Sequence, residues 1–137
     1  MAAPVHNPVV VREFDRAGHP GRDYRSEPGT PIRAALAGVV VRVEAGRVVV
    51  ESNAIWHVYE LLSESTVSQG ETVETGDLLG LAAGSHLHYE ERVAPYGVGD
   101  QRSPQFDLHT NARMRLVAQG GSAEEGAAEP PGATVEP

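Results

Sequence analysis

No cysteine occurs in the 137 residues, so neither a disulfide framework nor a thiolate metal site can form, and any zinc must be held by His, Asp or Glu. Lysine is absent too: all 11 basic residues are arginines, which excludes a lysine-anchored cofactor and a lysine Schiff base. Apolar runs such as Val39-Val40-Val41 fall far short of the roughly 20 residues that a membrane helix needs. The opening stretch from Met1 to Asn7 has neither a charged n-region nor a long apolar segment, which predicts a soluble protein with no recognisable export signal. The net charge of −8 lacks the basic excess that phosphate binding wants and argues against a nucleic-acid partner.

Part of that acidity is local. Glu124, Glu125, Glu129 and Glu136 sit in a terminal stretch with no basic residue, leaving −4 for the rest of the chain. From about Gln119 the composition becomes Gly, Ala, Glu and Pro, too poor in large apolar groups to offset chain entropy. The expected organisation is one domain over 1–118 and a disordered acidic tail over 119–137.

Within the domain no stretch has a 3.6-residue period. Short β-branched runs recur between turn signals, as in Pro8-Val9-Val10-Val11, Gly38 to Val43, Val48 to Glu51 and Ile55 to Leu62. Gly46 falls where a hairpin between the second and third of these would turn. The predicted fold is all-β, a small antiparallel sheet or barrel-sandwich-like single domain.

Two stretches carry the chemistry. In Gly84-Ser85-His86-Leu87-His88-Tyr89-Glu90, the two histidines project from one face of a strand because side chains alternate. Earlier, His19-Pro20-Gly21-Arg22-Asp23 offers an imidazole and a carboxylate across a Pro-Gly turn. Together they supply His19, Asp23, His86 and His88, enough for three metal ligands and one catalytic group. His6, His57 and His109 read as surface or satisfied polar residues, and Glu90-Glu91-Arg92 as a solvated strand end.

These stretches, in order, resemble the lysostaphin-like (LytM-type) zinc metalloendopeptidases of bacterial cell walls. The likeness runs from about Phe14 to Pro104. It includes His19-x-x-x-Asp23 with Gly21, the strand-turn-strand stretch from Pro28 to Val40, the glycine turns from Val67 to Gly80, and His86-Leu87-His88-Tyr89-Glu90. The glycine rhythm is also similar to lipoyl- and biotin-carrier domains, which the lack of lysine excludes.

The family resemblance implies that His19, Asp23 and His88 bind zinc and that His86 is catalytic, helping to take a proton from water or to steady the oxyanion. One position departs from the pattern. Where the family carries a second catalytic histidine in a Tyr-x-His-Leu setting, this chain has Tyr59-Glu60-Leu61-Leu62. On one continuous strand His57 shares the face of Leu61 at a displacement of about 13 Å, while Glu60 faces the other way.

The implied function is zinc-dependent cleavage of peptide cross-links in bacterial peptidoglycan. The alternative is a degenerate, slow or inactive zinc-binding member that serves as a wall-binding or structural module of a larger assembly. Without an export signal the implied place of action is the cell wall, reached as a phage virion component or lysis protein with virion or other assembly proteins as partners. The lysine-free, Arg/Ala/Gly-rich composition suits a bacteriophage of an actinobacterium-like host.

Overall fold

The computed structural model describes residues 1–106. The expected domain boundary at 118/119, the acidic tail and His109 lie outside the described residues. Met1–Pro104 forms a compact unit of eleven strands in two antiparallel sheets. No helix among the described residues is long and apolar enough to cross a membrane.

The larger sheet contains β1 (Val10–Arg12), β2 (Arg22–Arg25), β4 (Gly38–Glu44), β5 (Arg47–Ser52), β6 (Ile55–Glu60), β8 (Thr72–Val73), β10 (His86–Val93) and β11 (Gln101–Arg102). Its order is β1-β2-β10-β6-β5-β4-β8, and β11 continues along the outer half of β10. The smaller sheet joins β3 (Pro31–Arg33), β9 (Leu78–Ala82) and β7 (Leu62–Ser65) in the order β3-β9-β7. As the sequence predicts, β4 and β5 form a hairpin, and Gly46 turns it at φ +75°, a conformation that costs glycine little.

Alternation divides the large sheet into two faces. Tyr24, Val48, Val50, Tyr59, Leu87 and Tyr89 point to the core, where they meet Ile32, Leu79 and Ala82 of the small sheet. Three tyrosines meet in it edge-on and tilted: the Tyr89 ring lies 5.3 Å from Tyr59 and 6.4 Å from Tyr24. The Tyr59 hydroxyl accepts a hydrogen bond from the Ala35 amide at 2.8 Å, giving the polar end of a fully buried ring a partner. Asp23, Glu60, His86 and His88 project from the opposite face, so the apolar packing of β10 fixes the direction of its histidines.

The predicted continuous strand from Ile55 to Leu62 is broken. Leu61 has φ +74° and is 44% exposed, and here the chain leaves the large sheet as β6 and enters the small one as β7. Alternation does not carry across such a break.

Candidate metal centre

His19 is delivered by a tight loop between β1 and β2. The His19 amide donates to the Asp15 carbonyl at 2.7 Å and the Asp15 amide to the His19 carbonyl at 2.9 Å, so the two residues bridge like a miniature hairpin. Gly21 then lets β2 press against β10. A Cβ at Gly21 would strike the Tyr89 carbonyl oxygen and stand 3.0 Å from His88 Cε1. In the β2–β10 register Asp23 is paired directly with His88, and Arg25 with His86.

These connections gather His19, Asp23 and His88, with one potential ligand atom from each within 4.8 Å of the others. Asp23 lies at the middle, its Oδ2 at 3.2 Å from His19 Nε2 and its Oδ1 at 2.7 Å from His88 Nδ1. A tetrahedral zinc with bonds near 2.0 Å spaces its ligand atoms by about 3.3 Å, so only small adjustments separate this arrangement from a coordination shell.

The outer nitrogens are tied down. His19 Nδ1–H donates to the Glu13 carbonyl at 3.0 Å, and His88 Nε2–H donates to Glu90 Oε2 at 2.8 Å. Each bond selects the tautomer whose inner nitrogen faces Asp23, the role that outer partners play at metal-binding histidines. The donor set therefore fits a divalent zinc-like ion, and His19, Asp23 and His88 would hold it.

Around this triad, paired charges compensate one another. Arg22 Nε donates to Glu13 Oε1 at 2.7 Å, and Arg92 Nε to Glu90 Oε1 at 2.8 Å. Burial opposes ionisation of Glu90, but its bonds to His88 and Arg92 prevail and hold its carboxyl below the ordinary value. For His88, burial alone would lower the pKa; the hydrogen bonds to Glu90 and Asp23 outweigh it and push it up to about 9. At neutral pH the imidazole thus carries a proton between two carboxylates, and a metal must displace it.

His86 occupies the rim. Its side chain is 40% exposed, with Nε2 3.9 Å from Asp23 Oδ2, and the Ser85 hydroxyl lies 3.3 Å from its Nδ1. It can reach a water or leaving group beside Asp23 without being a fourth member of the cluster.

Three expectations change with the structure. His57 is buried on the core face, not on the site face: its Nδ1 lies 2.7 Å from the Tyr89 hydroxyl and its Nε2 has no hydrogen-bond partner among the described residues. It cannot stand in for the imidazole missing at Leu61. Glu60 does face the site, since it pairs directly with His88 in the β6–β10 register; the break at Leu61 invalidates parity counted through that residue. Glu90, Glu91 and Arg92 are no solvated strand end, being 4%, 0% and 8% exposed.

Of the contributors that sequence reasoning missed, Glu90 had a signal in its i+2 spacing from His88. Glu13 had none, because it acts on His19 through a backbone carbonyl.

Comparison with known proteins places this geometry. An uncharacterized metalloprotease of Haemophilus influenzae is 36% identical over 88 residues, 55% of this chain and 18% of that protein. The DD-carboxypeptidase/endopeptidase Mpg of Neisseria meningitidis is 33% identical over 87 residues, 55% of this chain and 20% of its own length. The chain thus spans about a fifth of the length of the curated relatives it matches. Among solved structures, the catalytic domain of the prophage-encoded M23 protein EnpA from Enterococcus faecalis superposes with a TM-score of 0.64 at 26% identity, covering 77% of this chain and 97% of that one. Residues 17–103 match the profile of Peptidase family M23, a span holding His19, the break at Leu61 and the whole of β10, and the chain belongs to that family.

Proposed function

We propose that the protein is a zinc-dependent endopeptidase that cuts peptide cross-links of bacterial peptidoglycan. The observation that carries this reading is the pair of imidazoles whose outer nitrogens are bonded to Glu13 and Glu90 while their inner nitrogens converge on Asp23. A zinc ion held by His19, Asp23 and His88 would polarise the scissile carbonyl and bring the pKa of a bound water to about 7.

The remaining steps belong to the chain. His86, on the open side, takes the proton of the attacking water and returns it to the leaving amine. Glu13 and Glu90 keep both imidazoles aimed, so little reorganisation accompanies the reaction.

The test is release of new amino termini from purified peptidoglycan by the zinc-supplied protein, with a chelated sample and His86→Ala as controls. Chelator-sensitive release that needs His86 supports the proposal; none from walls of several chemical types overturns it.

Leu61 favours a second reading, a degenerate, slow or inactive zinc-binding member acting as a wall-binding or structural module. Its side chain is aliphatic and exposed at the break between β6 and β7, where the family pattern has an imidazole. Losing one positioned acid–base group costs on the order of 10²–10³ in rate. A wall-bound, zinc-loaded protein that releases no termini decides for this alternative. The likeness to a prophage-encoded protein supports deployment at the cell wall as a bacteriophage virion component or lysis protein, with other assembly proteins as partners.

A further inference from the structure

Beside His19 lies a pocket of about 310 Å³ lined by Phe14, Arg16, Gly18, His19, Pro20 and Gln101. One wall is the β1–β2 loop that delivers His19; the other comes from the turn between β10 and β11. The volume is at the lower end of the range for small-molecule sites, about 300–1,000 Å³, and suits one small residue and its polar group.

Both walls are tied to the metal centre. His19 belongs to the centre itself. Opposite it, Gln101 Oε1 accepts from the Gly99 amide at 2.7 Å and Gln101 Nε2 donates to Glu90 Oε1 at 3.4 Å, behind His88. The pocket therefore adjoins the His19 side of the centre, within reach of a residue that flanks an amide bound there.

Arg16 supplies the charge. Near the site, Arg22, Arg47 and Arg92 each hold a glutamate, at 2.7, 3.0 and 2.8 Å. Arg16 is exposed and pairs with no carboxylate among the described residues; its guanidinium lies over the Phe14 ring, 5.5 Å from the centroid. The adjacent Asp15 spends Oδ1 on the Ala17 amide at 3.0 Å. Arg12 adds positive charge at the lip, donating from Nη2 to the Gly18 carbonyl at 3.3 Å. In a chain of net charge −8, such an uncompensated cation at the pocket favours anionic ligands over neutral ones.

We propose that this pocket binds a carboxylate of the peptide substrate. Arg16 is the recognising group, and the small residue flanking the cleaved amide sits against Phe14 and Pro20. A guanidinium offers two parallel donors that match a carboxylate, which a neutral amide cannot replace. The proposal rests on the peptidase reading above. The carboxylate comes from the end of the peptide or from an acidic side chain next to the cleaved bond.

Three ketomethylene isosteres, in which CH2 replaces the scissile N–H, separate these sources: those of N-acetyl-D-alanyl-D-alanine, of its C-terminal amide, and of N-acetyl-D-glutamyl-D-alanine amide. Their binding to the full chain supplied with one equivalent of zinc is read by calorimetry. At least one acid should bind tenfold or more tighter than the neutral amide. Arg16→Gln should abolish that preference without changing amide binding, and Arg16→Lys should keep part of it. Preference for the first compound assigns the peptide terminus, and preference for the third assigns the acidic side chain.

Equal binding of all three, or a preference that survives Arg16→Gln, overturns the proposal. The isosteres are not cut, so the result does not depend on turnover. Acid binding through Arg16 in a protein that never cuts peptidoglycan would overturn the peptidase reading and leave the pocket standing.

Discussion

Glu60 stands directly across from His88 in the β6–β10 register, one residue before the position where the family pattern has an imidazole. It is held there by Arg47, whose Nε donates to Glu60 Oε2 at 3.0 Å, and Leu61 beyond it turns out of the sheet. A carboxylate thus lies on the site face, one residue before the place where a histidine would have flanked the centre.

Restoring the imidazole should raise turnover. Histidine tolerates positive φ better than leucine does, and Leu61 is exposed, so Leu61→His should fold at least as stably as the parent. Peptide-bond hydrolysis should rise on the order of tenfold or more. Single-turnover rates on a soluble cross-linked peptide check this; an unchanged rate would show that the missing group does not limit the reaction.

Zinc uptake should displace a proton. His88 is pushed up to about 9 between Glu90 and Asp23, and only its neutral form can bind metal. Calorimetry at pH 7 in buffers of different ionisation enthalpy should show release of about one proton per zinc, with affinity rising roughly tenfold per pH unit until about pH 9. Without metal the sign reverses for stability. A raised folded-state pKa stabilises fully below the unfolded value of 6.5, and this contribution is lost as pH climbs through about 9.

The buried network on the core face acts in the opposite pH direction. Burial lowers the pKa of His57, so its contribution is present above 6.5 and is lost as pH falls further through the depressed folded value. Stability should therefore decline as pH falls below 6.5, and the acid unfolding midpoint should shift toward lower pH in His57→Asn.

Tyr89 links that histidine to a carboxylate: its hydroxyl donates to Glu91 Oε2 at 2.7 Å and lies 2.7 Å from His57 Nδ1. Tyr89→Phe keeps the ring packing but deprives both partners, and should cost about 1–3 kcal/mol in urea unfolding.

Gly21→Ala should weaken metal binding more than it weakens the fold. The added methyl meets the Tyr89 carbonyl and the His88 ring, where Asp23 must stay in register with His88. Zinc titration against a chromogenic chelator should show at least a tenfold loss of affinity.

Much of this was legible in the residues. Period-two alternation in His86-Leu87-His88-Tyr89 is set by burial of Leu87 and Tyr89, so it reads from sequence and fixes the histidine face. The hairpin at Gly46 was legible for the same local reason. Leu61 was not: a leucine at φ +74° contradicts its own preference and is imposed by the transfer of the chain between sheets. Parity counted through it misplaced Glu60 and His57. The burial of Glu90, Glu91 and Arg92 was hidden as well, because it depends on pairing with His88, Tyr89 and Arg102 rather than on charge density.

The most direct test restores zinc stepwise to chelated protein while following release of amino termini from peptidoglycan. The account predicts activity that rises to a maximum at one equivalent of zinc, and neither zinc binding nor activity in a folded His88→Ala variant. Full hydrolysis by the chelated protein, or by His88→Ala, would contradict it.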